Sequence, residues 1–458
     1  MQPHVDFPAD ETGRRSGTAL GRAVVADALR VVDPAAAGAA EREADWRRGY
    51  PRHFRALVEA GLSADGAAGY EIAEAGLLSL HARIRYVRPD GEFTLAQALL
   101  AGGGEPYRTV EVTGSAAPDR TVGLLPRLDA WRAAGVIEPS CADAVREVAA
   151  DPDWRDLSDL TFALLGAGAE MGPLRWLLDR GATVLAVDLP RPDLWERIAG
   201  LAAGSAGRLF APVRGAGTPG ADLTADPGAV AAWLLSFDRP LVLGNYGYAP
   251  GSAYPKLAAV TDALAVHLRQ RRPDTAFAVL ATPTDVYAVP AGAVEQARER
   301  YAGRGVRARA VEPLSGGRLL RPNYPLPSTP GINDSLVPQQ GPNYALAKRI
   351  HRWRATLGRR DGVVSFAVAP PARTRSVLSN RLLKAAYAGA HLFGVEVFDA
   401  ATASELMAIL MIHQIRRPRA ADAAAWRDET VAAAHGGLWR SAYHARTALP
   451  IAAVRGLL

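Results

Sequence analysis

Tyr344 and Lys348 are the residues whose types and spacing most suggest chemistry. They stand four positions apart in the stretch GPNYALAKRIHRW, and Lys348 is one of only three lysines in the 458-residue chain. On a helix this spacing places both side chains on one face, where the ammonium would stabilise a phenolate and lower the pKa of the tyrosine. Such a tyrosine can exchange a proton with a carbonyl or alcohol oxygen. An exposed Tyr and Lys on a helix surface is the alternative interpretation, since the spacing alone is a weak motif.

A second chemical signal is a glycine turn. The segment TFALLGAGAEMGP, residues 161–173, is an apolar stretch followed by Gly166, Gly168 and Gly172, with Pro173 suited to the first turn of a helix. Glycine lets the backbone turn sharply and approach a diphosphate, and the free N–H groups of a following helix attract its charge. This order predicts a nucleotide-binding turn.

An acidic residue follows at the distance that a dinucleotide site requires. Asp188 ends the apolar stretch TVLAVD, twenty positions beyond Gly168. A carboxylate there accepts hydrogen bonds from an adenosine ribose and repels a 2′-phosphate, which favours NAD, while Arg191 keeps NADP open. The same layout also suits the adenosine of S-adenosylmethionine.

Short apolar runs alternate with amphipathic stretches from Asp156 onward, which predicts a doubly wound parallel sheet, Rossmann-like and of the α/β class. We predict a Rossmann-like domain over 156–458, with an inserted loop at 312–343 that acts as a lid or wall and a C-terminal substrate-binding segment. Strands are predicted at 162–165, 183–187, 241–244, 276–280, 306–311, 363–368 and 394–398, and helices at 173–180, 192–202, 228–236, 254–270, 291–303, 344–357 and 376–390.

The first third of the chain reads differently. Residues 1–40 are expected to be loosely ordered, and 41–155 to form an additional N-terminal α+β domain. Helical patterns cover 41–62 and 124–150, with a possible strand pair near 81–87 and 107–112, and the three glycines at 102–104 indicate a turn.

Composition narrows the classes of function. The net charge of +6 favours anionic small molecules, but the arginines are dispersed and form no basic tract, which argues against nucleic acid. Cys141 is the sole cysteine and the nine histidines show no metal spacing, so we propose no metal site. No apolar run reaches the ~18 residues that a membrane span needs, and a cytoplasmic protein without a membrane span is expected.

In several of its motifs the chain resembles the short-chain dehydrogenase/reductase superfamily, and more its extended, nucleotide-sugar-epimerase-like branch. The match covers roughly residues 160–400. Leu165-Gly-Ala-Gly-Ala-Glu-Met-Gly172 stands where the family has its glycine motif, and Leu241-Val-Leu-Gly-Asn245-Tyr-Gly247 stands where it has Asn-Asn-Ala-Gly. The segment of the family that carries the catalytic Ser or Thr is similar to Ala281-Thr-Pro-Thr-Asp-Val-Tyr287. The family's Tyr-x-x-x-Lys helix is similar to Pro342-Asn-Tyr344-Ala-Leu-Ala-Lys348. The strand that reaches the nicotinamide is similar to residues 363–371 with Thr374.

This resemblance implies a role for each matched position. Tyr344 would be the general acid/base, Lys348 its pKa-lowering and ribose-binding partner, and Asn245 a structural and proton-relay residue, with Thr282, Thr284 or Ser335 supplying the second hydroxyl because Pro283 occupies its usual place. The implied cofactor-binding residues are Gly166, Ala167, Gly168, Glu170, Met171, Gly172, Asp188, Leu189, Gly244, Asn245, Tyr246, Lys348, Pro370 and Thr374. Glu170 departs from the family pattern, since it replaces a glycine.

We therefore expect an NAD(P)-dependent oxidoreductase that moves hydride between the cofactor and a carbonyl or alcohol carbon. Its substrate is expected to be a small molecule, anionic or bulky, and the chain to form a homo-oligomer, as relatives of that family do. Two alternatives remain open: an S-adenosylmethionine-dependent methyltransferase, which needs no Tyr344, and a degenerate dinucleotide-binding protein without catalysis.

Overall fold

The computed structural model describes residues 2–62, 66–326 and 328–457, and its class is mixed α/β. The strands are β1 His4–Asp6, β2 Arg85–Arg88, β3 Gly91–Phe93, β4 Arg108–Thr113, β5 Thr161–Leu165, β6 Thr183–Val187, β7 Arg208–Val213, β8 Leu241–Asn245, β9 Ala276–Ala281, β10 Val286–Val289, β11 Gly331–Asp334, β12 Val364–Val368, β13 Ala372–Arg373 and β14 Phe398–Asp399. The helices are α1 Gly17–Arg30, α2 Pro34–Glu41, α3 Trp46–Ala60, α4 Ala68–Arg83, α5 Leu95–Leu100, α6 Leu128–Ala133, α7 Pro139–Ala150, α8 Leu174–Asp179, α9 Pro192–Ala203, α10 Pro227–Leu235, α11 Ala253–Arg271, α12 Ala291–Ala302, α13 Val306–Leu314, α14 Pro342–Asp361, α15 Arg375–Ser379, α16 Arg381–Gly389, α17 Ala400–Arg416, α18 Ala425–Thr430 and α19 Ala445–Leu457.

The central sheet has seven strands in the order β12-β9-β8-β5-β6-β7-β4. All neighbouring pairs are parallel except β4 with β7, which is antiparallel. From β5 the chain builds outward through β6 and β7 on one side, then returns to build β8, β9 and β12 on the other. The direction of winding therefore reverses between β5 and β8, and such a switch point leaves a crevice at the carboxyl ends of the two strands.

Helices cover both faces of this sheet because its strands are apolar on both sides. In β5, Ala163 and Leu165 enter one core with residues of α1, α4, α11 and α14. Phe162 and Leu164 enter the other core with residues of α7, α8 and α17. The alternation along the strand thus fixes which helices lie behind each side chain.

Five of the seven predicted strands are confirmed, as β5, β6, β8, β9 and β12. The strand predicted at 306–311 is wrong, because this segment lies in α13, where alternating Arg and Ala favour a helix and Val306 is 82% exposed. The strand predicted at 394–398 is also wrong, since only Phe398 and Asp399 form a strand, and they pair with β13 outside the sheet. β7 was not predicted, because Arg208 at its start and Pro212 within it obscure the apolar pattern of a strand.

Most predicted helices are confirmed, as α8 to α12 and α14. The helix predicted at 376–390 is divided into α15 and α16 at Asn380, whose side chain accepts hydrogen bonds from the N–H groups of Leu382 and Leu383 at 3.1 Å each. The segment 312–343 is partly regular, since β11 pairs with β10 and anchors it to the molecule.

The N-terminal third differs from its prediction. Residues 17–30 and 34–41 form α1 and α2 rather than loose structure, and the side chains of Ser16 and Asp33 cap them. Buried residues of α3, α4 and α5 pack in the core that contains α14, whereas buried residues of 124–157 pack on the opposite face of the sheet. The strands predicted near 81–87 and 107–112 do not pair with each other, so the predicted pair is wrong. β2 pairs with β1 and β3, whereas β4 pairs with β7.

The described helices include none with the length and apolarity to cross a membrane.

A buried ionic network fixes the position of α14. Arg352 donates to Asp285 at 2.6 Å and, through two nitrogens, to Glu429 at 2.9 and 2.7 Å, and Arg349 donates to Asp285 at 3.1 Å. Burial alone would raise the pKa of Asp285, but the two guanidinium groups hold it below its ordinary value. Asp285 lies in the connection from β9 to β10, directly before β10, and Glu429 lies on α18. The network therefore joins three separate segments at one point.

We predict that Arg352→Met lowers the free energy of unfolding by about 3–5 kcal/mol, because it leaves the Glu429 carboxylate buried without its partner and Asp285 with Arg349 alone. Urea denaturation followed by circular dichroism measures this loss. Arg417→Met is the control, since Arg417 is 64% exposed in its pair with Glu147 and its loss should cost at most ~1 kcal/mol. Equal losses in the two variants would contradict the assignment.

Candidate functional site

A cavity of about 690 Å³ lies at the carboxyl ends of the central strands. Residues 169–171, after β5, Asn245, the last residue of β8, and Thr282, after β9, all line it. The predicted site residues among its walls are Tyr344, Lys348, Thr282, Thr284, Ser335, Asn245, Glu170, Met171, Tyr246 and Thr374. The glycine turn and the Tyr-Lys pair, which are far apart in the sequence, thus border one space.

Tyr344 and Lys348 reach this cavity from the first two turns of α14. Gly341, with φ of +82°, turns the chain, and Pro342 begins the helix. The opposite face of the helix, including Leu346 and Ile350, is buried in the core. The Lys348 Nζ lies 5.9 Å from the centre of the Tyr344 ring, so the two side chains share a face as the spacing predicts.

The electrostatics of Tyr344 differ from the prediction. Burial raises its pKa, the Lys348 charge lowers it, and the net result is a pKa raised to about 12 rather than lowered. The loss of hydration outweighs an ammonium that stands several ångströms from the ring. Tyr344 is therefore a protonated phenol at neutral pH.

Thr282 is the candidate hydroxyl beside Tyr344. It lies close enough to be one of the groups that hold the pKa of the tyrosine down. The Thr282 Oγ1 lies 3.0 Å from the Thr284 Oγ1. The Thr284 Oγ1 also accepts a hydrogen bond from the Nε2 of Gln340 at 2.7 Å. Ser335 instead donates to Asn333 at 2.7 Å. Of the three hydroxyls left open by the sequence, the geometry favours Thr282.

Asn245 brings an unsatisfied acceptor to the cavity. Its Nδ2 donates to the Oγ1 of Thr261 at 2.9 Å, which fixes the orientation of the amide. Its Oδ1 is buried and has no hydrogen-bond partner among the described residues. A buried acceptor of this kind costs free energy unless a donor reaches it, so the site has a place for a ligand hydroxyl or amide N–H.

The glycine turn packs directly against the loop after β8. Gly166 has φ of +80°, and a Cβ atom there would lie 2.6 Å from the backbone nitrogen of Gly247. Glycine is thus required at position 166 for both conformation and space. Likewise, a Cβ atom at Gly244 would lie 2.6 Å from the ring of Tyr246, which explains glycine at the end of β8.

Asp188 is bound to the glycine turn. One carboxylate oxygen accepts from the N–H of Gly168 at 2.9 Å, and the other accepts from the N–H of Leu189 at 2.8 Å. The carboxylate is therefore held in place at the end of β6, with lone pairs left on both oxygens for a further donor. The N–H of Gly168 is already occupied, so it is not a free donor for a phosphate.

Glu170 is neutralised across the cavity. Its carboxylate accepts from the backbone N–H of Arg375 at 2.7 Å and pairs with the Arg375 guanidinium at 2.6 Å. The pair connects the glycine turn with the start of α15. The extra negative charge that departs from the family pattern thus has a fixed partner.

The remaining predicted cofactor residues shape the turn from behind and are not walls of the cavity: Gly166, Ala167, Gly168, Gly172, Asp188, Leu189, Gly244 and Pro370. Ala167 is buried, Leu189 is 45% exposed, and Pro371 rather than Pro370 lines the cavity. Gly172 closes the turn, since its N–H donates to the carbonyl of Ala169 at 2.9 Å.

Gln340 and Tyr387 are among the cavity residues that were not predicted from the sequence. Gln340 lies in the turn before α14 and holds Thr284, and Tyr387 lies on α16. No motif marks either residue, because each reaches the cavity only through the tertiary fold. Tyr254, whose ring centre is 5.6 Å from that of Tyr344, is a further wall residue of the cavity.

No protein-family model matches this chain, and no curated protein matches it. Within the described residues, no group of three or more His, Cys, Asp or Glu side chains is placed to hold a metal ion. The function must therefore be inferred from the cavity and its side chains.

We predict that Gly166→Ala costs more stability than Gly251→Ala, as measured by urea denaturation. Both positions have positive φ, +80° and +60°, but a Cβ atom at Gly251 would meet nothing within 4 Å. Each variant should lose about 1–2 kcal/mol from conformation. Gly166→Ala should lose about 1–3 kcal/mol more from its collision with Gly247. Equal losses would show that the two loops do not touch.

Proposed function

We propose that this protein is an NAD(P)-dependent oxidoreductase that interconverts a carbonyl and an alcohol. The observation that supports the proposal best is that Tyr344, Lys348 and Thr282 line the same cavity as residues 169–171 of the glycine turn. The strand order, which reverses between β5 and β8, is that of dinucleotide-binding Rossmann folds. The candidate chemistry thus lies at the place where such folds bind their cofactor.

Several residues fit a dinucleotide. Gly166 and the backbone up to Gly172 form the tight turn that lets a diphosphate approach, and Asp188 offers acceptors for ribose hydroxyls. The unpaired Oδ1 of Asn245 suits a hydroxyl or carboxamide donor, and Lys348 suits a ribose oxygen. α8 is only six residues long, so its dipole contributes little. Because the N–H groups of residues 166–169 and 172 already have partners, those of Glu170 and Met171 would have to hold the diphosphate.

The surroundings of Asp188 favour NAD over NADP. A carboxylate in this position repels a 2′-phosphate. Arg191, the residue that would attract that phosphate, is paired with Asp193 at 2.8 Å. We therefore propose NAD as the preferred cofactor.

The catalytic roles follow from the geometry. When bound, the nicotinamide supplies or accepts hydride at the substrate carbon. Tyr344 would donate its phenolic proton to the carbonyl oxygen, and Thr282 would hold that oxygen with its hydroxyl. The Lys348 charge would stabilise the phenolate that remains. The chain from Thr282 through Thr284 to Gln340 keeps this hydroxyl in place.

Methyl transfer from S-adenosylmethionine is the alternative that the same turn allows. The Lys348 ammonium argues against it. Within the described residues the carbonyl oxygen of Leu280, at 3.5 Å, is the hydrogen-bond partner of Lys348 Nζ, and no carboxylate lies within ion-pair distance. An uncompensated positive charge beside the reacting centre would repel a sulfonium group. A non-catalytic protein would not need Tyr344 and Thr282 in contact.

We predict that Tyr344→Phe lowers the turnover of NADH with carbonyl substrates by about 10²–10⁴-fold, since the general acid is lost, while NADH still binds. Stopped-flow absorbance and NADH fluorescence titration measure the two quantities. Tyr301→Phe is the control, because the pKa of Tyr301 is also raised to about 12, by burial and by Glu312, but Tyr301 is not a wall of this cavity. Unchanged turnover in Tyr344→Phe would remove the mechanism.

A pH profile tests the raised pKa of Tyr344. An acid is active in its protonated form, and a tyrosine whose pKa is raised to about 12 stays protonated through the neutral range. We therefore predict that the rate of carbonyl reduction does not fall from about pH 6 to about pH 10, whereas alcohol oxidation rises across that range as the base form appears. A loss of reduction with a midpoint near neutrality would assign the proton to another group.

A further inference from the structure

The charged and the apolar residues of the cavity lie on different parts of its wall. Its charged wall residues are Glu170, Lys348 and Arg375, and the first and last of these neutralise each other. Lys348 is therefore the one unpaired charge among the described wall residues, and it stands at the reacting end beside Tyr344. A second charge on the ligand, away from this end, would lose its hydration without a partner.

The far wall is apolar and is built from α16, α19 and the segment between α16 and β14. It includes Leu383, Ala386, Phe393, Ala448, Leu449 and Ala452. Side chains of this kind leave water with few hydrogen bonds, so an apolar ligand that displaces the water gains free energy.

Two glycines hold this wall together. A Cβ atom at Gly389 on α16 would collide with the carbonyl oxygen of Ala452, and one at Gly456 on α19 would collide with the carbonyl oxygen of Ala385. The helix backbones are therefore in direct contact at both points. The apolar surface is consequently preformed, which lowers the entropy cost of filling it.

We propose that the substrate is an uncharged molecule with a long apolar body, bound with its carbonyl or hydroxyl group at Tyr344 and Thr282 and its body against α16 and α19. The proposal rests on the oxidoreductase function proposed above and names its substrate class. It favours a bulky substrate over an anionic one. A sugar would bury several hydroxyls against a wall whose two helices offer only the Tyr387 hydroxyl among their described lining residues.

Binding of methyl ketones of increasing length to the protein without cofactor tests the proposal. Isothermal titration from butanone to undecanone should show affinity that rises about fourfold for each added methylene, as expected for transfer from water to an apolar site. Ala448→Trp, which fills the apolar wall, should abolish this rise. Val454→Trp is the control on the same helix, because Val454 is 59% exposed and is not a wall of the cavity.

Ala386→Phe fills the same wall from α16 and serves if Ala448→Trp unfolds, which a thermal melt detects. Affinity that is independent of chain length in the unmodified protein, or equal effects of Ala448→Trp and Val454→Trp, would overturn the proposal. The two proposals fail separately. Length-dependent binding without NADH oxidation would refute only the oxidoreductase, and NADH oxidation with short or charged carbonyls alone would refute only the apolar substrate.

Discussion

The buried bridge from Arg352 to Asp285 and Glu429 is the constraint on which the site depends. Asp285 lies three residues after Thr282, and Arg352 lies two helical turns after Tyr344 on α14. The bridge therefore fixes α14, which carries Tyr344, relative to the end of β9, after which Thr282 lies. Its ions face away from the cavity, so position is secured without placing further charge beside the reacting atoms. A few tenths of an ångström matter at such a site.

Burial and charge oppose each other at Tyr344, and burial wins. The protein keeps the phenol protonated, which suits the proposed donation of a proton, and the proposed mechanism assigns to Lys348 the stabilisation of the anion that forms. The same low polarity continues into the apolar wall beyond. The scarcity of polar groups in the cavity thus has two consequences. It keeps Tyr344, the proposed acid, protonated, and it limits the polarity of the substrate that the cavity can accept.

The sequence predicted the parallel sheet well because apolar runs such as TFALL and TVLAV bury both faces of a strand. It failed at 306–311, where valines at a helix surface imitate a strand, and at residues 17–41, where capping residues and a periodic apolar face were overlooked. Residues 169–171, Asn245 and Tyr344, which the motifs placed in one site, line one cavity, whereas the glycines of the turn do not. The choice of Thr282 over Ser335, the engagement of Asp188 by Gly168, and the raised pKa of Tyr344 depend on tertiary packing, which spacing along the chain does not contain.

A crystal structure of the protein soaked with NAD⁺ tests the central claim most directly. The claim is that one cavity brings a dinucleotide on the 166–172 turn together with the hydroxyl of Tyr344. We predict electron density for the diphosphate against that turn and for the nicotinamide beside Tyr344 and Lys348. A dinucleotide bound elsewhere, or a cavity that accepts S-adenosylmethionine and excludes NAD⁺, would contradict the account.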